Sequence, residues 1–349
     1  MSEHDAEFLP RITTVQRLST LLAVVIPFLG FIFAMYSLWG RMFSWAELTS
    51  FLVMYLATGL GITVGYHRLF THRSFKAVAP VKFALGVLGS MALQGPILKW
   101  VAIHRRHHHH SDRPEDPHSP HVHGTGILGL IRGFWHAHIG WMFTANHPSL
   151  YRYVRDLNAD KLVRVMSKLF GVWVLLGLLI PAGLGWLLTG TWKGAFLGFV
   201  WGGLVRIFLV HHATFSINSI CHIWGRRPFQ CDDHSRNNVI CGVLALGEGW
   251  HNNHHAFPAS ARHGLYWWQF DMSYVVIRLL EVLRLASNVR VPGPDAVRSK
   301  LAPVTEMGVT PQGAIRTADA KGILHSIADE SRTAGPVQSD ECVPSGRHT

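Results

Sequence analysis

Two stretches of this sequence, residues 18–39 and 169–189, contain no charged side chain. With a rise of about 1.5 Å per residue, each is long enough as a helix to cross the ~30 Å hydrocarbon core of a bilayer. A chain carrying such runs must satisfy every backbone amide within them, which predicts a helical, membrane-embedded fold. Two further apolar runs read the same way: residues 45–66, with Glu47 at the outer end, and 194–212, interrupted by Arg206. A charge within an apolar run is costly unless it faces protein or snorkels, so Arg206 is expected near the cytosolic end of its span. That fourth span is expected to continue as helix into the cytosol as far as His222. Residues 81–98, with Lys82, several glycines and Pro96, read as a buried or interfacial helix rather than a crossing.

The two connectors placed outside carry one basic residue each, Arg41 and Lys193, whereas the long segment between the second and third spans holds many. The positive-inside rule then puts both termini and every histidine-rich stretch in the cytosol. The expected organisation is a flexible tail over 1–16 and a body over 17–290. In the body, a cytosolic cap built from 67–168 and 213–290 sits on the four spans, and 126–143 forms an amphipathic surface helix. Residues 291–349 are rich in Pro, Gly, Ser and Ala without periodicity, the pattern of a disordered tail. The fold class is thus an all-α integral membrane protein of four transmembrane helices, with a cytosolic helical cap holding a dinuclear metal site.

The metal site follows from the histidines, 24 in all. His251, His254 and His255 stand at i, i+3 and i+4, one face of a helix, and His104, His107 and His108 repeat the spacing. His67 and His72 are five apart, which on an α-helix sets them roughly 140° from each other, a pair suited to two metals more than one. Asn218 and His222 share a face at i and i+4, so His222 can be a ninth ligand while Asn218 holds a metal-bound water; His211 lies on the same face. A single such stretch is as well explained by an exposed polar helix face. Three of them, each next to an apolar segment, favour metal. His109 and His110 read as solvated or as adventitious metal binders, and His118, His121, His123, His136, His138 and His147 as surrounding, interfacial or exposed residues.

Imidazole without thiolate excludes iron–sulfur and cysteine-zinc chemistry, and the four cysteines form no CxxC pair, which fits a reducing compartment. Spacing does not name the metal, but nitrogen ligation with an open position suits oxygen activation at iron. The net charge of +11 accompanies 48% apolar residues, a combination that points to lipid headgroups or a phosphorylated substrate and away from nucleic acid.

Taken together, His67-Arg-Leu-Phe-Thr-His72-Arg, His104-Arg-Arg-His107-His108, Asn218-Ser-Ile-Cys-His222 and Gly-Glu248-Gly-Trp-His251-Asn-Asn-His254-His255 resemble the membrane-bound acyl-CoA delta-9 (stearoyl-CoA) desaturases, in particular their bacterial branch. The resemblance covers roughly residues 18–290. It implies two iron ions held by His67, His72, His104, His107, His108, His222, His251, His254 and His255, with Asn218 acting through water. It also implies O2 as co-substrate, two electrons, a cis double bond placed in a saturated acyl chain, and a bacterial inner membrane location. Trp100 matches a tryptophan bounding the family's bent acyl tunnel.

Lys99, Arg105, Arg226 and Arg227, with Arg106 and Arg132, are candidates for the phosphates of coenzyme A. Ile103 stands where the family commonly carries an acidic residue. The carrier is thus an acyl-CoA, an acyl carrier protein or a phospholipid. The sequence shows no ferredoxin cysteine pattern, cytochrome b5 signature or nucleotide-binding glycine loop, so electrons are expected from a separate protein of ferredoxin, cytochrome b5 or reductase type. The competing readings are a histidine-box hydroxylase, ketolase or alkane monooxygenase, and, more distantly, a metal transporter. Transport predicts ionisable residues inside several spans, and the first and third have none.

Overall fold

A computed structural model describes residues 13–40, 43–144 and 150–302 of the chain. His147 and residues 303–349 of the expected tail lie outside the described residues. Helix α1 (Thr14–Trp39) begins at a capping box in which Thr13 and Gln16 satisfy each other's backbone amides. Helix α2 (Trp45–Leu60) begins the same way at Ser44, whose amide and hydroxyl both donate to Glu47. The one acid at the edge of the second span is therefore a cap. From Leu60 the helix runs on without a break as a π-helical segment, Gly61–Thr71.

The pair β1 (Lys76–Ala77) and β2 (Ala286–Ser287) clips the two halves of the cap together antiparallel. Between these strands lie α3 (Ala79–Met91), α4 (Ile97–His110), α5 (Gly126–His138), α6 (Arg155–Ala159), α7 (Lys161–Lys168), α8 (Phe170–Thr189) and α9 (Trp192–Gly198). Then come a second π-helical segment (Phe199–Val205), α10 (Arg206–Ile223), α11 (Val239–Leu244), α12 (His251–Ala256) and α13 (Met272–Val282). Four helical stretches are long and apolar enough to cross a membrane: Thr14–Leu38, Trp45–Thr71, Phe170–Thr189 and Trp192–Ile223. The last is unbroken to beyond His222, as expected. On α5, Ile127, Leu128, Ile131 and Trp135 remain exposed on one side.

Small residues let the elements approach closely. A Cβ on Gly61 would lie 2.2 Å from the backbone nitrogen of Gly89, so the π segment and α3 touch main chain to main chain. The stretch expected as one helix over 81–98 is broken between α3 and α4. Leu93 and Gly95 take positive φ values of 59° and 108°, and Pro96 caps the next helix.

Arg206 takes the first of the two ways open to a charge in an apolar run. It is fully buried and faces protein, not an interface: its guanidinium donates to Gly202 O (3.0 Å), Met91 O (2.7 Å) and Gly177 O (2.6 Å). Each acceptor has a reason to need a donor. Gly177 precedes Pro181 by four residues, and proline has no amide to offer it. Met91 ends α3, and Gly202 lies in the π segment, where the i to i+4 pattern is interrupted. His211 completes the clamp by reaching Ala92 O and Leu93 O. Arg206→Met is therefore expected to lower stability by about 3 kcal/mol or more, since a buried acceptor left bare costs roughly 1–3 kcal/mol. Thermal unfolding of the detergent-purified variant measures it, and an unchanged transition would refute this role.

The tail boundary also shifts. Residues 291–302 pack onto the cap through α14 (Pro294–Ser299), whose Val297 is buried with Phe229 and Leu265. The backbone beyond it pairs with 228–230, Gln230 N donating to Lys300 O and Ala302 N to Pro228 O. Composition suggested disorder here, but a few apolar side chains with a partner strand suffice to order a Pro- and Gly-rich segment.

Candidate metal centre

The nine histidines picked out by spacing are brought together at one end of the bundle, in two groups. Ligand-capable atoms of His67, His72, His104, His108 and His254 lie within 4.8 Å of one another, as do those of His107, His222, His251 and His255. Adjacent residues divide between the groups: His107 and His108 point to different ones, and so do His254 and His255. A helix whose successive side chains diverge by about 100° does this naturally.

His67 and His72 do not divide as the α-helical reading predicted. Both join the five-histidine group because the segment carrying them is π-helical. The amide of His72 donates to His67 O at 3.1 Å, an i to i+5 bond, which stacks the two residues one turn apart on the same face. Their rings meet edge to face with centroids 4.8 Å apart.

Carboxylates fix four of the rings. His67 Nδ1 donates to Glu248 (2.5 Å), His107 Nδ1 to Asp116 (3.0 Å), His222 Nδ1 to Asp112 (2.8 Å) and His255 Nδ1 to Asp233 (2.6 Å). With Nδ1 protonated toward an acid, Nε2 presents its lone pair inward. Burial disfavours charge on Asp112, Asp116 and Asp233, yet the histidines and the hydrogen bonds around them hold all three carboxyls below the usual carboxylate range. Burial, followed by crowding from neighbouring histidines, pushes the imidazoles of His72, His104, His108, His251 and His254 well below the ordinary histidine value. His107 moves the other way: burial opposes charge, but Asp116 outweighs it. Asp233→Asn should weaken metal binding about 10–100-fold with little change in fold, as loss of an outer-sphere partner typically does. Metal content after dialysis against a chelator series reads this, and full retention would deny Asp233 the role.

These atoms fit a pair of metal ions. His67 Nε2 and His254 Nε2 are 3.1 Å apart, His254 Nε2 and His108 Nε2 2.9 Å, His108 Nε2 and His104 Nε2 3.1 Å, and His222 Nε2 and His251 Nε2 3.0 Å. One imidazole nitrogen cannot satisfy two others with a single proton, so a shared cation accounts for this convergence better than hydrogen bonding. His72 Nε2, His107 Nε2 and His255 Nε2 are buried with no hydrogen-bond partner among the described residues. Such atoms are costly unless they bind something.

Glu248, Asp112, Asp116, Asp233 and His263 were not singled out by spacing. His263 is buried against Glu248 (3.3 Å) and Arg68, and burial, with Arg68 beside it, pushes its imidazole down to about 4. His118, read as peripheral, sits behind His107 with ring centroids 4.4 Å apart, and burial takes it down to about 3.

A mostly apolar cavity leads away from the histidines. Trp100, His67, His104, His251 and Asn218 line its inner end, and Tyr55, Gly59, Val210 and Leu244 line it farther along α2, α10 and α11. Trp100 stacks on His104 (centroids 5.1 Å) and donates to Gln94, which in turn donates to Thr214 (2.8 Å). The expected phosphate contacts fare less well. Arg105 is consumed by Asp156, Phe70 O, Thr71 O and Tyr153 O, and Arg227 by Cys231 O and Asp233 O. Both hold loops of the cap through these bonds. Lys99 and Arg226 are exposed.

A four-span helical bundle with two buried polyhistidine groups at the head of an apolar cavity defines a membrane-embedded metalloprotein of the histidine-box class. The chain belongs to the fatty acid desaturase family, whose profile matches residues 43–279. It is 44% identical over 282 residues to the hex-5-enoyl-[acyl-carrier protein] acetylenase of Moorena producens (strain JHB), covering 80% of this chain and 88% of that one. It is 41% identical over 252 residues to the sn-1 stearoyl-lipid 9-desaturase of Anabaena variabilis (71% and 85% covered). With the icosanoyl-CoA 5-desaturase of Limnanthes douglasii the identity is 40% over 268 residues (74% and 69% covered).

Proposed function

We propose that this chain is a fatty acyl desaturase of delta-9 type, placing one cis double bond in a saturated acyl chain with O2 and two electrons. The observation that carries this reading is the juxtaposition of two histidine groups with a mostly apolar cavity that His67, His104 and His251 help to line. Two irons, one held by His67, His72, His104, His108 and His254 and the other by His107, His222, His251 and His255, with Asn218 through water, would supply an oxidant strong enough to take hydrogen from an unactivated methylene.

The chain's own residues do the rest. Ile62, Val210 and Ile217 desolvate the alkyl chain, and Trp100, fixed by Gln94, holds it against the His104 face so that one carbon pair lies beside the centre. Glu248 and the three aspartates hold the Nδ1 side of their imidazoles, which keeps Nε2 turned inward. Arg105 and Arg227 are engaged within the cap, and Lys99 and Arg226, which are exposed, are the more accessible candidates for phosphates of a carrier. The relatives bear the names of an acyl-carrier-protein, a lipid and a CoA enzyme, so their names do not choose the carrier. Electrons come from a separate donor protein, and the protein sits in a bacterial inner membrane with its histidine end toward the cytosol, an orientation that the basic loops support.

The test is expression, with iron and a donor, in a host that makes only saturated fatty acids, followed by gas chromatography and location of any double bond. Appearance of a cis-9 acid supports the reading. Oxygen-bearing products would favour the hydroxylase reading, and no new acid at all would defeat both.

A further inference from the structure

Helix α11 has two unlike faces. Cys241 and Ala245 pack against Ala213, Ile217, Ile220 and Cys221 of α10, and Gly242 lies under the Trp250 ring. Val239, Ile240, Val243 and Leu244 face outward with no polar side chain among them, Val243 being 61% and Leu244 53% exposed. Trp250 is itself buried, but its indole donates to Phe270 O and its ring meets Trp268 at 5.4 Å, which fixes beside α11 the loop that exposes Trp267 (78%) and Phe270 (56%). A contiguous apolar surface of this kind marks a place where something apolar lies against it.

Its depth in the bundle says what that is. Helices α8 and α10 run antiparallel, and Gly177 of α8 is level with Arg206, to which it is hydrogen-bonded. Phe170, the first residue of the uncharged α8, is therefore about 10 Å beyond that level, alongside Ala213. The lipid-facing belt of the bundle thus reaches Ala213, and α11 packs there. Leu244 O also accepts from the Tyr55 hydroxyl of the second span at 2.7 Å. The outer face of α11 is continuous with the spans.

Leu244 and Tyr55 also line the cavity, and Leu244 is half exposed. The wall between cavity and surroundings is here one side chain thick, on a six-residue helix packed through Cys, Gly and Ala. We propose that the outer face of α11, with Trp267 and Phe270, is immersed in the lipid leaflet on the cap side and forms a side door through which acyl chains pass between bilayer and cavity. A chain entering this way never leaves an apolar phase, which suits an acyl donor that is itself a bilayer lipid. What passes the door rests on the desaturase reading; where α11 lies does not.

The experiment has two arms, both on the full-length, metal-loaded protein in phospholipid nanodiscs. A photoreactive benzoylphenylalanine replaces Val243, Trp267 or, as a polar control on α14, Asp295. After irradiation, mass spectrometry is expected to find phospholipid adducts several-fold more abundant at Val243 and Trp267 than at Asp295, and equal labelling would overturn the immersion. In the second arm, isotope-labelled distearoyl phospholipid is the sole acyl source, compared with a stearoyl thioester. Double bonds in the phospholipid support the door, whereas turnover confined to the thioester overturns it. Turnover of neither withdraws the door together with the desaturase reading, while the adducts still decide where α11 lies.

Discussion

His254→Ala is expected to abolish turnover and strip metal from the five-histidine group while the four-histidine group keeps its own. Its Nε2 stands between those of His67 (3.1 Å) and His108 (2.9 Å), so it joins the π segment to α4, two elements far apart in sequence. The loss should exceed the roughly 10–100-fold expected for an outer partner such as Asp233, because here a donor atom itself is removed. His109, exposed on α4, is the control, and its alanine variant should keep both metal and activity. Metal analysis with Mössbauer spectroscopy of iron-57-loaded protein reads the two sites separately. Loss of both irons alike, or of neither, would contradict the five-and-four division.

That division marks where sequence reasoning stopped. The spans were legible because a long run without charge has few other uses, and the nine histidines because their spacing repeats. Which histidine joins which group was not legible, since it turns on one local irregularity: the π-helical turn that stacks His67 over His72. No residue type in Gly61–Thr71 announces it. Asp112, Asp116 and Asp233 were invisible for another reason. They sit in loops, reach the site only through tertiary folding, and have no period to betray them. The partners of Arg105 and Arg227 were hidden for the same reason, because only the fold brings Tyr153 O and Asp156 to the one and Cys231 O and Asp233 O to the other. Arg206 was read rightly as needing company, but the company proved to be three orphaned carbonyls.

Glu248→Gln should have the largest effect on folding and metal binding together. Glu248 is buried and serves both faces at once: one oxygen takes His67 Nδ1 (2.5 Å) and His263 Nδ1 (3.3 Å), the other takes Arg68 (3.1 Å). Arg68 is wholly buried and shared between Glu248 and Asp271, with Ala261 O as a further acceptor. Burial disfavours the Glu248 carboxylate, but His67, His263 and Arg68 together hold its carboxyl well below the usual range. An amide of the same shape removes a negative charge and turns an N–H toward groups that are themselves donors. Breaking a buried ion pair from one side typically costs about 3–5 kcal/mol, and here the ring of a metal-binding histidine is released as well. The expected result is a lower unfolding temperature in detergent and depletion of the five-histidine group, both visible before any assay of activity. If the variant unfolds like the parent yet binds less metal, Glu248 orients His67 without holding the cap. If it binds metal normally and melts early, the converse holds. Unchanged values of both would remove Glu248 from the centre of this site.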